Sequence, residues 1–177
     1  TTGNIFFVSS VTGSDGNDGK SASRPFATVD YAIGRCTANQ GDHILVMPNH
    51  AETSTNTAGF WTFDVAGVTC IGLGVFNQRP RLLLDAGTAA TVVVSAADVV
   101  VRNIVFASGT ADVTRCFNVT GVGCVIDACE FNDNVADENF LTCVDATGAD
   151  DTANGLQVIN CRWSSADALS GPFVTIV

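Results

Sequence analysis

The chain has 177 residues, enough for one domain with a sizeable core, and its composition is 46% apolar against 15% charged, as for strands buried between neighbours. A formal net charge of −10, with Lys20 the single lysine, argues against a polyanionic partner such as nucleic acid, whose binding needs clustered Lys and Arg. No run of about 18 apolar residues exists to cross a membrane as a helix.

The opening run from Phe6 predicts a short strand, and a loop rich in Gly, Asp, Asn and Ser follows it. Val29, Ala32, Ile33 and Cys36 then recur at i, i+3, i+4 and i+7, one face of an amphipathic helix. Its start falls near Thr28, with Asp30 in the first turn, where negative charge suits the helix dipole. "GDHILVMP" is the first full strand after it, with Ile44 and Val46 on one face.

From there the chain repeats itself. "VTCIGLGV" at Val68, "VVVRNIVF" at Val99, "CVIDACEF" at Cys124 and "LQVINCRW" at Leu156 align so that Cys70, Val101, Ile126 and Val158 share one column. Gly72, Asn103, Ala128 and Asn160 share another, followed by Leu73, Ile104, Cys129 and Cys161. Apolar residues alternate along each phrase and slip phase by one at the small or amide residue, which implies a corner. The corners lie 31, 25 and 32 residues apart, a solenoid period. A further short strand precedes each phrase, at Phe63 to Val65, Thr91 to Ser95, Arg115 to Thr120 and Phe140 to Asp145. The pattern predicts an all-β, right-handed parallel β-helix solenoid with an N-terminal amphipathic capping helix. It forms a single domain over 1–177, with the opening strand, loop and helix in 1–42 and stacked coils in 43–177. A corner asparagine is then expected to hydrogen-bond to the next coil, in a ladder broken by Gly72 and Ala128.

Four of the seven cysteines, Cys70, Cys124, Cys129 and Cys161, fall in inward columns, where thiols act as small apolar side chains rather than disulfides. His43 and His50 lie far from them in sequence and no CxxC is present, so no zinc site is expected. The chain ends on "GPFVTIV", an apolar strand without a polar cap, which implies further chain or a partner subunit. It has neither an initiator methionine nor a signal peptide, as expected of a processed or trimmed chain.

The opening run "VTGSDGNDG…PFATVDYAIGRCTANQGDHILVMPNHAET", followed by "DVAGVTCIGLG", resembles right-handed parallel β-helix proteins of the pectin-lyase-like superfamily. It looks most like virion-associated β-helix proteins of tailed bacteriophages. That resemblance implies location in a virion, a homotrimer, and contact with other virion proteins such as the major capsid protein. It also implies a possible host glycan ligand, with no nucleic-acid or membrane partner. Polygalacturonase-like relatives carry Asn-Thr-Asp, Asp-Asp, His-Gly and Arg-x-Lys motifs; here only Asp150-Asp151 matches. Lyase relatives abstract a proton with a basic residue, whereas Lys20 lies in the opening loop and Arg102 and Arg162 read as isolated outward residues on separate coils.

Asp127 and Glu130 read as outward carboxylates on either side of a corner, a solvated acidic edge unless they converge for glycoside hydrolysis. Calcium is possible at "GSDGNDG", with Asp15 and Asp18, or at "DATGADDTANG", with Asp145, Asp150 and Asp151, although these residues also make turns. Trp61 could stack on a sugar, Trp163 aligns with Phe106 and Phe131 as packing, and the Asn118 sequon lies inside a strand. These signs give a structural virion component, a capsid decoration protein or a fibre or spike, without catalytic, cofactor or metal residues. The alternatives are a polysaccharide lyase or hydrolase and a non-catalytic glycan-binding β-helix.

Overall fold

In the computed structural model, which describes residues 3–55, 59–133, 137–147, 153–164 and 173–176, the chain passes in rotation through three parallel sheets. Sheet A holds β1 (Ile5–Val8), β2 (His43–Val46), β5 (Thr69–Gly72), β8 (Val100–Arg102), β11 (Val125–Asp127) and β14 (Gln157–Ile159). Sheet B holds β3 (Ala51–Thr53), β6 (Arg81–Leu84), β9 (Val105–Ser108), β12 (Glu130–Asp133) and β15 (Arg162–Ser164). Sheet C holds β4 (Thr62–Phe63), β7 (Val92–Val94), β10 (Phe117–Val119), β13 (Val144–Ala146) and β16 (Val174–Ile176). Each strand pairs with its equivalent one coil away, so the fold is an all-β parallel solenoid with one short helix.

The register follows the aligned phrases. Cys70 pairs with Val101, Val101 with Ile126 and Ile126 with Val158. Inward positions of sheet B stack Leu82, Phe106, Phe131 and Trp163. Phe106 and Phe131 lie 5.9 Å apart at 24°, while Phe117 meets them edge-on at 4.7 and 6.0 Å. Trp61 closes the row on Phe106 at 5.9 Å. Offset and edge-on rings add to the area they bury, so this column anchors the core.

Corners between sheets A and B need a residue that tolerates left-handed backbone. Asn103, Ala128 and Asn160 sit there at φ of 58°, 52° and 54°. Asn103 Nδ2 donates to Gly72 O at 2.7 Å and Gly74 O at 2.9 Å, so its amide serves the main chain of the previous coil rather than another asparagine. Asn160 Nδ2 donates to Asp127 Oδ1 at 2.9 Å. Gly72 has no room to be anything else, because an added Cβ would lie 2.3 Å from Asn103 O.

The β5–β6 corner differs from the others. Residues 73–80 are inserted there, so Leu73, expected inward, is 43% exposed instead.

The helix α1 (Val29–Ile33) starts where the sequence places it, with the Thr28 hydroxyl capping the Tyr31 N–H and Asp30 in the first turn. Val29, Ala32 and Ile33 are buried. Asp15 holds the preceding loop against it, its Oδ1 accepting from Ala27 N–H at 2.8 Å. All seven cysteines are free thiols. Burial pushes the Cys70, Cys116 and Cys143 thiols well up, so they stay protonated as core packing.

Asn103→Ala is expected to cost about 1–3 kcal/mol, through two lost main-chain bonds and a strained dihedral. Gly72→Ala is expected to cost more, because backbone must move. Urea unfolding midpoints measure both, and equal, negligible losses would show that the corner bears no load.

Candidate functional site

The two acids singled out in the sequence do not form a solvated edge. Asp127 and Glu130 are 5% and 8% exposed. A buried carboxylate must be paired, and register supplies the partners. Asp127 lies beside Arg102 in sheet A and meets its Nη2 at 2.7 Å. Glu130 lies beside Arg162 in sheet B and meets its Nη2 at 2.8 Å. Arg102 and Arg162 are therefore paired rather than isolated. Each stitches one coil to the next from outside.

Glu130 has a second cation that sequence reasoning did not reach. Arg79, in the 73–80 insertion, donates from Nη1 to Glu130 Oε2 at 2.9 Å. Its Nη2 donates to Ala128 O at 2.8 Å and Ile104 O at 3.3 Å. Ala128 is the corner without an amide side chain, and this guanidinium supplies hydrogen bonds there. Arg79 is 13% exposed and Arg162 is 71% exposed, so the same carboxylate holds one largely buried and one exposed guanidinium.

These residues line a groove of about 730 Å³ on sheet B, bounded by Phe76, Arg79, Arg81, Glu130, Asn132 and Arg162. Three of the chain's eight cationic side chains meet there, against a net charge of −10. Arg79 Nε and Asn132 Oδ1 are buried there without a hydrogen-bond partner, at a cost to stability. On the rim Phe76 stands 89% exposed at φ 50°, in backbone that a bulky residue seldom adopts, beside Val75 at 61%. A strained, exposed aromatic ring beside guanidinium groups offers a stacking surface and anion donors together.

Other sequence candidates fall elsewhere. Trp61 is fully buried and donates its indole N–H to Glu52 Oε2 at 3.1 Å, so it is not free to stack on a sugar. Trp163 packs on Phe173 at 6.2 Å, and Asn118 lies within β10. Asp18 Oδ1 accepts from Lys20 N–H at 3.1 Å, and Asp145 pairs with Arg115 at 2.6 Å. With Asp15 these act as turn and strand staples. Asp150 and Asp151 lie outside the described residues. Among the described residues no three His, Cys, Asp or Glu side chains gather as a metal site.

Three parallel sheets wound in rotation, with left-handed residues at the corners, define a parallel β-solenoid. Among solved structures the chain is similar to one described as "Rhamnogalacturonan lyase", with a TM-score of 0.65 and 15% sequence identity. The match covers 91% of this chain and 51% of that one, so this chain spans about half the length of the structure it resembles. At that identity the likeness is one of fold. No family model and no curated protein matches the chain.

The pairing predicts an asymmetry. Arg79→Ala leaves Glu130 buried with only its exposed partner and is expected to cost about 3–5 kcal/mol. Arg162→Ala removes a largely exposed cation and is expected to cost less than about 1 kcal/mol. Chemical denaturation of the two variants measures this, and comparable losses would contradict it.

Proposed function

We propose that this chain is a non-catalytic glycan-binding β-helix whose sheet B groove takes an acidic saccharide. The observation that carries this reading is the meeting of Arg79, Arg81, Arg162 and the exposed Phe76 ring on one groove of an otherwise acidic chain. A saccharide carboxylate suits the guanidinium fork, its ring face suits Phe76, and its hydroxyls suit Asn132. A turnover site at Asp127 and Glu130 has less support. Hydrolysis needs one carboxylate that can be protonated and another free to attack or to activate water. Here each is buried against arginine, on different sheets either side of the Ala128 corner.

The setting proposed for this surface is a fibre or spike of a tailed-phage particle. Support comes from the resemblance of the opening sequence to such proteins; that segment folds as a strand, an Asp15-stapled loop and a helix. A trimer and contact with other virion proteins belong to the same reading. Capsid decoration is the competing role, and copy number separates them. Quantitative mass spectrometry of purified particles is expected to find a handful of copies; abundance near that of the shell protein would favour decoration, and absence would remove the virion setting.

Calorimetric titration tests the groove itself. Uronate-bearing oligosaccharides are expected to bind saturably, and neutral ones of equal length more weakly. Arg162→Ala should lose roughly tenfold or more in affinity, in line with about 1.5–3 kcal/mol for a charged hydrogen bond. Phe76→Ala should weaken binding without loss of stability. Release of unsaturated or reducing ends by the unaltered protein would overturn the non-catalytic reading.

A further inference from the structure

A second buried constellation lies between the opening segment and the first coil. His50 and Glu52 flank Ala51 at the start of β3, with side chains 0% and 6% exposed. Ser10, just after β1, donates its main-chain N–H to His50 Nδ1 at 2.9 Å. A backbone amide can only donate, so Nδ1 holds a lone pair and the ring hydrogen sits on Nε2. Nε2 then donates to Glu52 Oε1 at 2.7 Å. The same carboxylate accepts the Val29 N–H of α1 at 2.9 Å on Oε1 and the Trp61 indole N–H at 3.1 Å on Oε2. Ser10 Oγ returns a bond by accepting Ala51 N–H at 2.8 Å. One neutral imidazole and one carboxylate thus join the turn after β1, the helix, β3 and Trp61.

From this geometry we propose that His50 is an acid-sensitive latch: a proton on Nδ1 breaks the Ser10 bond and frees the turn at Ser10 from the first coil. An imidazolium has a hydrogen at both nitrogens and no lone pair for Ser10. The closed latch excludes that proton and the open one accepts it. The closed form is therefore favoured at higher pH and lost as pH falls. Glu52 attracts an imidazolium whether or not Ser10 is bound, so it does not change which of the two forms takes up the proton.

Other titratable groups bear on the pair and set the controls. Burial raises the Asp30 carboxyl of α1 above its usual range against the pull of the Thr62 N–H, and the negative charges of Asp64 and then Glu52 add to the rise. Cys70 of β5 is held as a thiol by burial, with smaller contributions from Cys36 and Glu52. Arg81 of β6 donates its main-chain N–H to His50 O at 2.9 Å. Asp30 is the competing acid trigger, since its Oδ1 accepts Thr62 N–H at 3.0 Å and ties the helix to sheet C.

Residue-resolved amide exchange between about pH 8 and pH 5, corrected for intrinsic rates, tests the latch over the span where imidazole ordinarily titrates. Protection at Ser10 is expected to fall by up to about tenfold per pH unit, the slope for one proton taken up on opening, while β5, β8 and β11 keep theirs. His50→Asn retains an acceptor near the Nδ1 position but cannot take a proton, so its Ser10 protection should not depend on pH. Asp30→Asn should keep the wild-type pH dependence. Unchanged Ser10 protection in the wild type, or a fall shared by all coils, would overturn the proposal. So would acid opening that survives in His50→Asn or vanishes in Asp30→Asn. Should His50→Asn fail to fold, nitrogen chemical shifts of His50 in the unaltered protein decide. Protonation at Nδ1 must coincide with the loss at Ser10, and a mismatch rejects the latch.

Discussion

Every feature of this molecule depends on one constraint: equivalent residues of successive coils sit one strand spacing apart, about 4.8 Å. At that distance like side chains stack, and unlike ones must be complementary. Inside, stacking selects aromatic and β-branched residues whose faces tile, as Leu82, Phe106, Phe131 and Trp163 do along sheet B. Outside, it forbids rows of one charge and rewards alternation, as Arg102 beside Asp127 and Glu130 beside Arg162 demonstrate. The small number of charges in the chain is thus used between coils as well as for solubility.

Corners make the constraint harder to satisfy, since a left-handed residue turns its main-chain groups away from the ladder. Asparagine solves this twice, bonding through Asn103 to Gly72 O and Gly74 O and through Asn160 to Asp127. Ala128 has no amide to offer, and the gap is served from outside the repeat by Arg79. A guanidinium brought in to serve carbonyl groups also carries charge. With Glu130 balancing part of it, the corner becomes the base of the groove.

Much of this was written in the sequence, unevenly. The sheet A register is legible because alternation with one slip at Gly72, Asn103, Ala128 and Asn160 fixes both face and phase. The same alignment already placed Arg102 over Asp127 and Glu130 over Arg162, so the ion pairs were readable. Treating the acids as outward, and outward as solvated, concealed them, because in a solenoid an outer side chain can be covered by its neighbour's. Phe76 and Arg79 were not readable in this way. They belong to residues 73–80, where periodicity stops and no column predicts direction. Trp61 misled for a related reason: its indole is held by Glu52 of β3, while Trp61 itself lies just before β4, and no repeat column links the two.

The two irregular regions consequently carry what the regular coils cannot. A solenoid with perfect stacking offers the same outer surface at each level, so a distinct ligand site needs an interruption. The 73–80 insertion provides one by reaching across to the Ile104 and Ala128 corners. The opening segment provides another, where the turn after β1 and α1 meet β3 outside the repeat through groups of different geometry. A buried imidazole between a backbone donor and a carboxylate meets that need because it can both accept and donate along one line. The same property ties the joint to protonation state, whereas an amide ladder would be indifferent to pH. Sensitivity to acid is therefore expected at this joint outside the repeat, and not within the stacked coils.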